Sequence, residues 1–273
     1  MKKHNNAMKA DQVMPSVRHS YWTMRIEDLV RYGTDEEIQQ QLHFFEAQLS
    51  NLAAKIRTSK PRNEKYLALY NLTIYAVHQL NRLRLMEHPP TEYYAWITRN
   101  LFEIYLIILY ILSSPEHLRN FFKQRAMDEI QILEGVKELA ESPHQQEVII
   151  LESRINEIKK VLFKHEAQMT KHLPTAKLAK ITGMEKEYKA FFKLYSKYVH
   201  PSSWVVNAKP EEAHSPEFRN IFLIQAQLYT GFIAKKVSDE TNIPLTTPNK
   251  SLHLPKAAPL ASGRVLTLCG KSQ

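Results

Sequence analysis

The sequence predicts an all-α protein, a single bundle of about seven helices followed by an extended basic C-terminal tail. Only 6 of the 273 residues are glycine, and long stretches lack both turn residues and the alternating pattern typical of strands. With 44% hydrophobic residues, the chain can build a substantial core. We expect an N-terminal segment at 1–33, a helical bundle domain at 34–240 and a Pro-containing basic tail at 241–273.

The first two helices are predicted from apolar residues at helical spacing. Thr34 precedes three acids and suits an N-cap. The stripe of the first helix then recurs in steps of four and three: Ile38, Leu42, Phe45, Leu49, Leu52 and Ile56. Pro61 ends it. A second helix is predicted from about Asn63 to Glu87, before Pro89 and Pro90; its stripe contains Leu69, Thr73, Val77 and Leu80.

The third helix, from about Thr91 to Ser113, is predicted to be the central one. Its segment from Leu101 to Leu112 carries one charged residue, Glu103. Twelve residues span about 18 Å, less than the roughly 30 Å of a hydrocarbon core, so we expect burial in protein and no membrane span. A buried carboxylate needs a partner, and Arg99, one turn earlier, is the predicted one, together with a group from elsewhere in the fold.

Four further helices and one short helical piece are predicted between proline-marked junctions. The fourth helix runs from Pro115 to about Ala140, and its predicted apolar side contains Leu118, Phe121, Phe122, Arg125 and Ile132. The fifth, from about 144 to 171, is rich in charge and is expected to face solvent. A short piece surrounds Leu178. The last two helices are predicted from about 184 to 199 and from about 215 to 238.

A second polar stretch lies at the end of the sixth predicted helix. Ser196 and His200 are one turn apart there, and Pro201 ends the helix. The helix dipole favours a protonated histidine at this position, which suits an anionic ligand or pairing with Glu103. Capping of the last carbonyls is the alternative.

Two motifs together resemble a widespread bacterial all-α family of unknown function, over about residues 60 to 235. The first is R-x-x-x-E at Arg99 and Glu103, and the second is Y-S-x-x-x-H-P-S from Tyr195 to Ser202. The resemblance implies that four side chains converge on one polar site inside the bundle: Arg99, Glu103, Ser196 and His200. It implies no particular reaction or substrate.

A looser similarity connects the chain to HEPN domains, small helical bundles of bacterial toxin and antiphage systems, many of which cleave RNA. Their usual mark is an Arg followed four to six residues later by a His. Arg82 and His88 have this spacing, although Leu83 stands where the family normally has a polar residue. The similarity implies a toxin-type function that acts on RNA.

Other chemistry and compartments are disfavoured by the sequence. It contains neither of the glycine-rich nucleotide-binding motifs and no H-x-x-x-H pair, so we expect no cofactor and no metal. Two Glu-x-x-His pairs, beginning at Glu141 and Glu211, fall at predicted junctions between helices, where a di-iron site would not form. The lone Cys269 and an N-terminus without an apolar signal region predict a cytoplasmic protein.

The net charge of +9 is unevenly placed. Residues 166–200 contain seven Lys and three acids, and the tail 241–273 adds four basic residues and no acid, whereas residues 119–165 balance eight bases with eight acids. The basic late helices and tail predict attraction to nucleic acid, against the alternative of a solubilising surface.

Two functions are consistent with these patterns. The first is a cytoplasmic defence or toxin-type effector acting on RNA, with Arg99, Glu103, His200 and Ser196 as its catalytic site. The second is a non-catalytic module that binds a protein partner or a second copy of itself, in which the same residues form a buried structural network.

Overall fold

The computed structural model describes residues 30–85, 89–140, 145–164, 173–209, 211 and 215–246. These residues form helices joined by turns, and no strand occurs among them, which confirms the predicted all-α class. The helices are α1 Asp35–Ser59, α2 Glu64–Leu85, α3 Thr91–Ser113, α4 Pro115–Leu139, α5 Gln145–Lys164, α6 Thr175–Ile181, α7 185–199, α8 Ser203–Val206 and α9 Pro216–Thr241.

The predicted start and stripe of the first helix are confirmed. Glu37 N donates to Thr34 Oγ1 at 3.4 Å, and Thr34 N donates to Glu37 Oε2 at 2.8 Å, which forms a capping box. All six stripe residues of α1 are buried, as are the four of α2. Local periodicity therefore selected the core-facing side of both helices.

Helix α3 is the centre of the bundle and contacts α2, α4, α6, α7 and α9. Its 23 residues correspond to about 34 Å. The whole of α3, unlike its segment from Leu101 to Leu112, is therefore long and apolar enough to cross a membrane. However, 67% of its most apolar stretch is buried inside the fold, as in the core helix of a bundle. The expected absence of a membrane span thus rests on this burial and stays a prediction.

Helices α4 and α5 form an antiparallel hairpin. Leu118, Phe121 and Phe122 of α4 pack on the main core, whereas Ile130 packs on α5 against Ile155 and Ile158 in a separate small cluster. The stripe predicted for α4 was wrong at two positions, because Arg125 and Ile132 are exposed. The reason is that α4 changes partner along its length, from α3 to α5, and therefore buries a different face in its second half.

Helix α7 has the predicted extent but an unpredicted geometry. It consists of an α-helical turn at Glu185–Glu187, a π-helical segment at Tyr188–Phe192 and a second α-helical piece at Lys193–Val199. π segments occur at functional sites more often than elsewhere. Helix α8, which follows it, lies in a region predicted to be loop; the hydroxyl of Ser202 caps α8 by accepting from Val205 N at 3.3 Å.

The bundle extends slightly beyond the predicted range of 34–240. Val30 is buried, and Arg31 N donates to Gln227 Oε1 of α9 at 2.9 Å. On the other side Ile243 is buried, and Gln48 Nε2 of α1 donates to the carbonyl of Thr246 at 2.9 Å. The rest of the predicted N-terminal segment and tail, His88, the Glu141 pair and His214 lie outside the described residues.

Candidate functional site

The side chain of Arg99 is the centre of the polar cluster on α3. Its Nε donates to Glu103 Oε1 at 3.1 Å, one turn further along the same helix. The same carboxylate oxygen accepts a second hydrogen bond from Thr175 Oγ1 at 3.4 Å. Thr175 is the first residue of α6, so the carboxylate connects α3 to the start of α6.

His200 reaches this cluster from the C-terminal end of α7. Its Nε2 lies 3.3 Å from Nη1 of Arg99. A guanidinium can only donate, so the imidazole accepts this hydrogen bond and is neutral in this arrangement, with its proton on Nδ1.

A phenylalanine ring supports the guanidinium from a third direction. The Cζ atom of Arg99 lies 4.6 Å from the centroid of the Phe192 ring, within the range of a cation–π contact. Phe192 is the last residue of the π segment and stacks on Tyr188 with ring centroids 4.7 Å apart. Arg99 is therefore held by Glu103, His200 and Phe192 together.

The fourth residue implied by the resemblance, Ser196, is placed elsewhere. Its hydroxyl donates to the carbonyl of Phe192 at 2.9 Å, inside α7. Within the described part of the chain it makes no hydrogen bond to Arg99, Glu103 or His200. The structure therefore brings three of the four residues together, and we do not include Ser196 in the site.

The cluster is open to solvent. The side chains of Arg99 and Glu103 are 21% and 30% exposed, and His200 is exposed. The sequence predicted an internal site, and this was wrong, because α6 and the end of α7 cover this face of α3 only in part. An open position is compatible with a ligand or substrate that approaches from solvent.

Sequence reasoning missed Thr175 and Phe192. Thr175 follows Pro174 at a helix start, a position that shows no link to Glu103, and Phe192 looks like an ordinary core residue. Only the packing of α6 and α7 on α3 makes them part of the site.

Two tyrosines of the Y-S-x-x-x-H-P-S region anchor α7 in the core. Tyr195 is fully buried, and its hydroxyl donates to Gln225 Oε1 of α9. Burial raises the pKa of Tyr195 above its usual range. Tyr198 is also buried among Trp204, Phe218 and Phe222. Both rings fix the end of α7, and so the position of His200.

The cluster offers a cation, a carboxylate and a neutral imidazole at one accessible place. Over the described ranges, no group of three or more His, Cys, Asp or Glu side chains is arranged to hold a metal ion. The arrangement can bind an anion such as a phosphate at the guanidinium and accept a proton at the imidazole.

Comparison with known proteins identifies a family over the same region. Residues 83–211 match a family of unknown function (DUF5677), which confirms the predicted similarity to such a family. The matched range includes all of the cluster residues: Arg99, Glu103, Thr175, Phe192 and His200. No curated protein and no solved structure matches the chain.

Proposed function

We propose that this protein is a cytoplasmic toxin-type or defence effector that cleaves RNA at the cluster of Arg99, Glu103 and His200. One observation carries the proposal: an accessible guanidinium lies between a carboxylate and a neutral imidazole. Metal-independent cleavage of RNA needs a cation to stabilise the charge on the phosphate and a group that takes a proton. The cluster contains both.

In the proposed reaction, a phosphate of the RNA binds Arg99. Nη1 then donates to a phosphate oxygen in place of His200, which frees the lone pair on Nε2. His200 takes the proton of the ribose 2′-hydroxyl, and the 2′-oxygen attacks the phosphorus atom. The bond from phosphorus to the 5′-oxygen breaks, and water from the open site gives that oxygen its proton. The products are a 2′,3′-cyclic phosphate and a 5′-hydroxyl.

Glu103 acts as a positioning residue in this proposal. Its carboxylate accepts from Nε of Arg99, which leaves Nη2, and Nη1 once it has released His200, to donate to a substrate. Thr175 fixes the carboxylate, and the Phe192 ring fixes the plane of the guanidinium. A preorganised cation costs little reorganisation when the charge on the phosphate develops.

The charge around the cluster supports a polyanionic substrate. Lys197 lies in the last turn of α7, just before His200. Lys177 and Lys180 lie on α6, which carries Thr175, and all three lysines are exposed. These cations raise the local concentration of nucleic acid.

The test is cleavage of a labelled single-stranded RNA by the purified chain. We expect fragments that end in a 2′,3′-cyclic phosphate, no cleavage of DNA of the same sequence, and loss of cleavage in His200→Ala. Ser196→Ala is the matched control and should cleave normally, because Ser196 bonds within its own helix. Full activity of His200→Ala, with its melting curve unchanged, would remove the site assignment.

A second candidate function is a non-catalytic interaction module. Four large apolar residues on the α4–α5 hairpin are 64–83% exposed: Ile132, Leu139, Ile149 and Ile150. The hairpin region 119–165 has equal numbers of bases and acids in a chain of net charge +9, so a second copy meets the least repulsion there. In this alternative the contacts of Arg99 with Glu103, His200 and Phe192 have a structural role and hold α7 against α3.

A further inference from the structure

Two cavities, of about 750 and 880 Å³, lie along α2, and both have Leu67 in their walls. We refer to the two together as the groove. The larger lies at the turn between α1 and α2, and the smaller lies between α2, α3 and α4. Leu67 and Tyr75, which line these cavities from α2, are exposed.

One end of the groove is basic. Arg57, Lys60 and Arg62 line the larger cavity, and within the described residues none of the three has an ion pair. Glu64 is the acid in the same wall. Three cations against one acid in a cavity of this size suit a phosphate group.

The middle of the groove is lined by aromatic rings. Tyr66 and Tyr70 of α2 line the larger cavity. Tyr75 of α2 lines the smaller cavity together with Phe121 and Phe122 of α4. Aromatic rings next to cations are the usual platform for single-stranded nucleic acid, since every base can stack on a ring while its phosphate contacts a cation.

The other end of the groove lies beside the Arg99 cluster. Ile107 lines the smaller cavity and is one turn beyond Glu103 on the same face of α3. Leu173 and Leu178 line the same cavity and flank Thr175, whose hydroxyl donates to Glu103. A chain lying in the groove therefore leads toward the cluster.

We propose that this groove binds a single strand of RNA, with phosphates at the turn between α1 and α2 and bases stacked on the tyrosines of α2. The direction of the strand toward Arg99 rests on the proposed function, whereas the binding itself does not. Two acids of the lining, Asp128 and Glu129, lie on the α4 wall, and Glu129 is held by Arg154 at 2.8 Å. The phosphates therefore belong at the basic end.

The first experiment measures binding of the full chain to a fluorescent single-stranded 2′-O-methyl oligouridine, which cannot be cleaved because it lacks a free 2′-hydroxyl. We expect the triple variant Arg57→Ala, Lys60→Ala, Arg62→Ala to bind about tenfold more weakly or worse, with a shallower dependence on salt. The matched control is Lys160→Ala, Lys186→Ala, Lys209→Ala, which removes the same charge from exposed positions on α5, on α7 and after α8. An equal loss in the control would show attraction by net charge and overturn the groove.

The second experiment tests stacking. Tyr75→Ala should weaken binding of the same oligonucleotide about fivefold or more, and Tyr75→Phe should restore it, because stacking needs the ring and not the hydroxyl. Unchanged binding in Tyr75→Ala would overturn the groove.

His200→Ala separates the two proposals. Normal binding with lost cleavage supports both the groove and the catalytic site. If the basic-end triple variant binds normally, the proposed RNA binding in the groove is wrong, whatever the cleavage assay shows. If the wild-type chain cleaves no RNA but the groove variants still bind the oligonucleotide weakly, only the proposed reaction is wrong.

Discussion

Nη1 of Arg99 and Nε2 of His200 lie 3.3 Å apart, although the residues are 101 positions apart in the chain. This contact connects the middle of α3 with the end of α7. The imidazole is the acceptor in this contact. A phosphate that binds the guanidinium in place of His200 therefore frees the imidazole to act as a base. The proposed chemistry and the packing of α7 thus depend on the same pair of side chains.

The ion pair of Arg99 with Glu103 should contribute modestly to stability. Both side chains are partly exposed, so we expect Glu103→Ala to lower the free energy of unfolding by only about 1 kcal/mol, rather than the 3 kcal/mol or more of a broken buried pair. Urea denaturation followed by circular dichroism measures this. Glu103→Gln, which retains an acceptor for Arg99 Nε, is the control; a loss above 3 kcal/mol would indicate an enclosed pair.

The hydroxyls of Tyr195 and Tyr198, both in α7, should differ in their effect on stability. Tyr195→Phe leaves Gln225 without its buried donor and should cost about 1–3 kcal/mol. The hydroxyl of Tyr198 is buried and has no hydrogen-bond partner in the described part of the chain. Tyr198→Phe should therefore be neutral or slightly stabilising. Thermal melting of the two variants gives the comparison, and the reverse order would contradict the assigned contacts.

Strong alkali should unfold the protein through its buried tyrosines. Burial, helped by the charge of Glu92, raises the pKa of Tyr198 to about 12, and burial raises that of Tyr229 to about 12. The unfolded chain loses these protons near pH 10. The contribution of these two tyrosines to stability should be constant below about pH 10 and should fall as the pH rises toward 12.

Absorbance at 295 nm and circular dichroism, recorded together across this pH range, test the alkaline transition. The double variant Tyr198→Phe, Tyr229→Phe should lose stability less steeply. Ionisation of all tyrosines near pH 10 with the helices intact would refute the prediction.

The exposed apolar end of the α4–α5 hairpin gives a test of self-association. If two copies meet there, Leu139→Glu should shift the chain from dimer to monomer in light scattering, because it places a charge in the contact. Gln146→Glu adds the same charge at an exposed polar position nearby and should leave the mass unchanged. A monomeric wild-type chain at high concentration would exclude this interface.

The sequence by itself determined the helices and much of the core. Apolar residues at steps of three and four selected the buried faces of α1 and α2, and Ser-Pro pairs marked where α4 and α9 begin. The pair of Arg99 and Glu103 was also predictable, because two residues four apart on a helix are neighbours whatever the rest of the chain does.

Only the tertiary structure decided what surrounds that pair. The position of His200, the support from Phe192 and Thr175, the openness of the cluster and the groove along α2 all depend on how α4, α6 and α7 pack on α3. Helical periodicity shows which face of a helix is apolar. It does not show which other helix packs on that face, or where along the helix this packing ends. For this reason the prediction that Ile132 of α4 is buried was wrong. For the same reason the site was expected inside the bundle, whereas it lies at the surface.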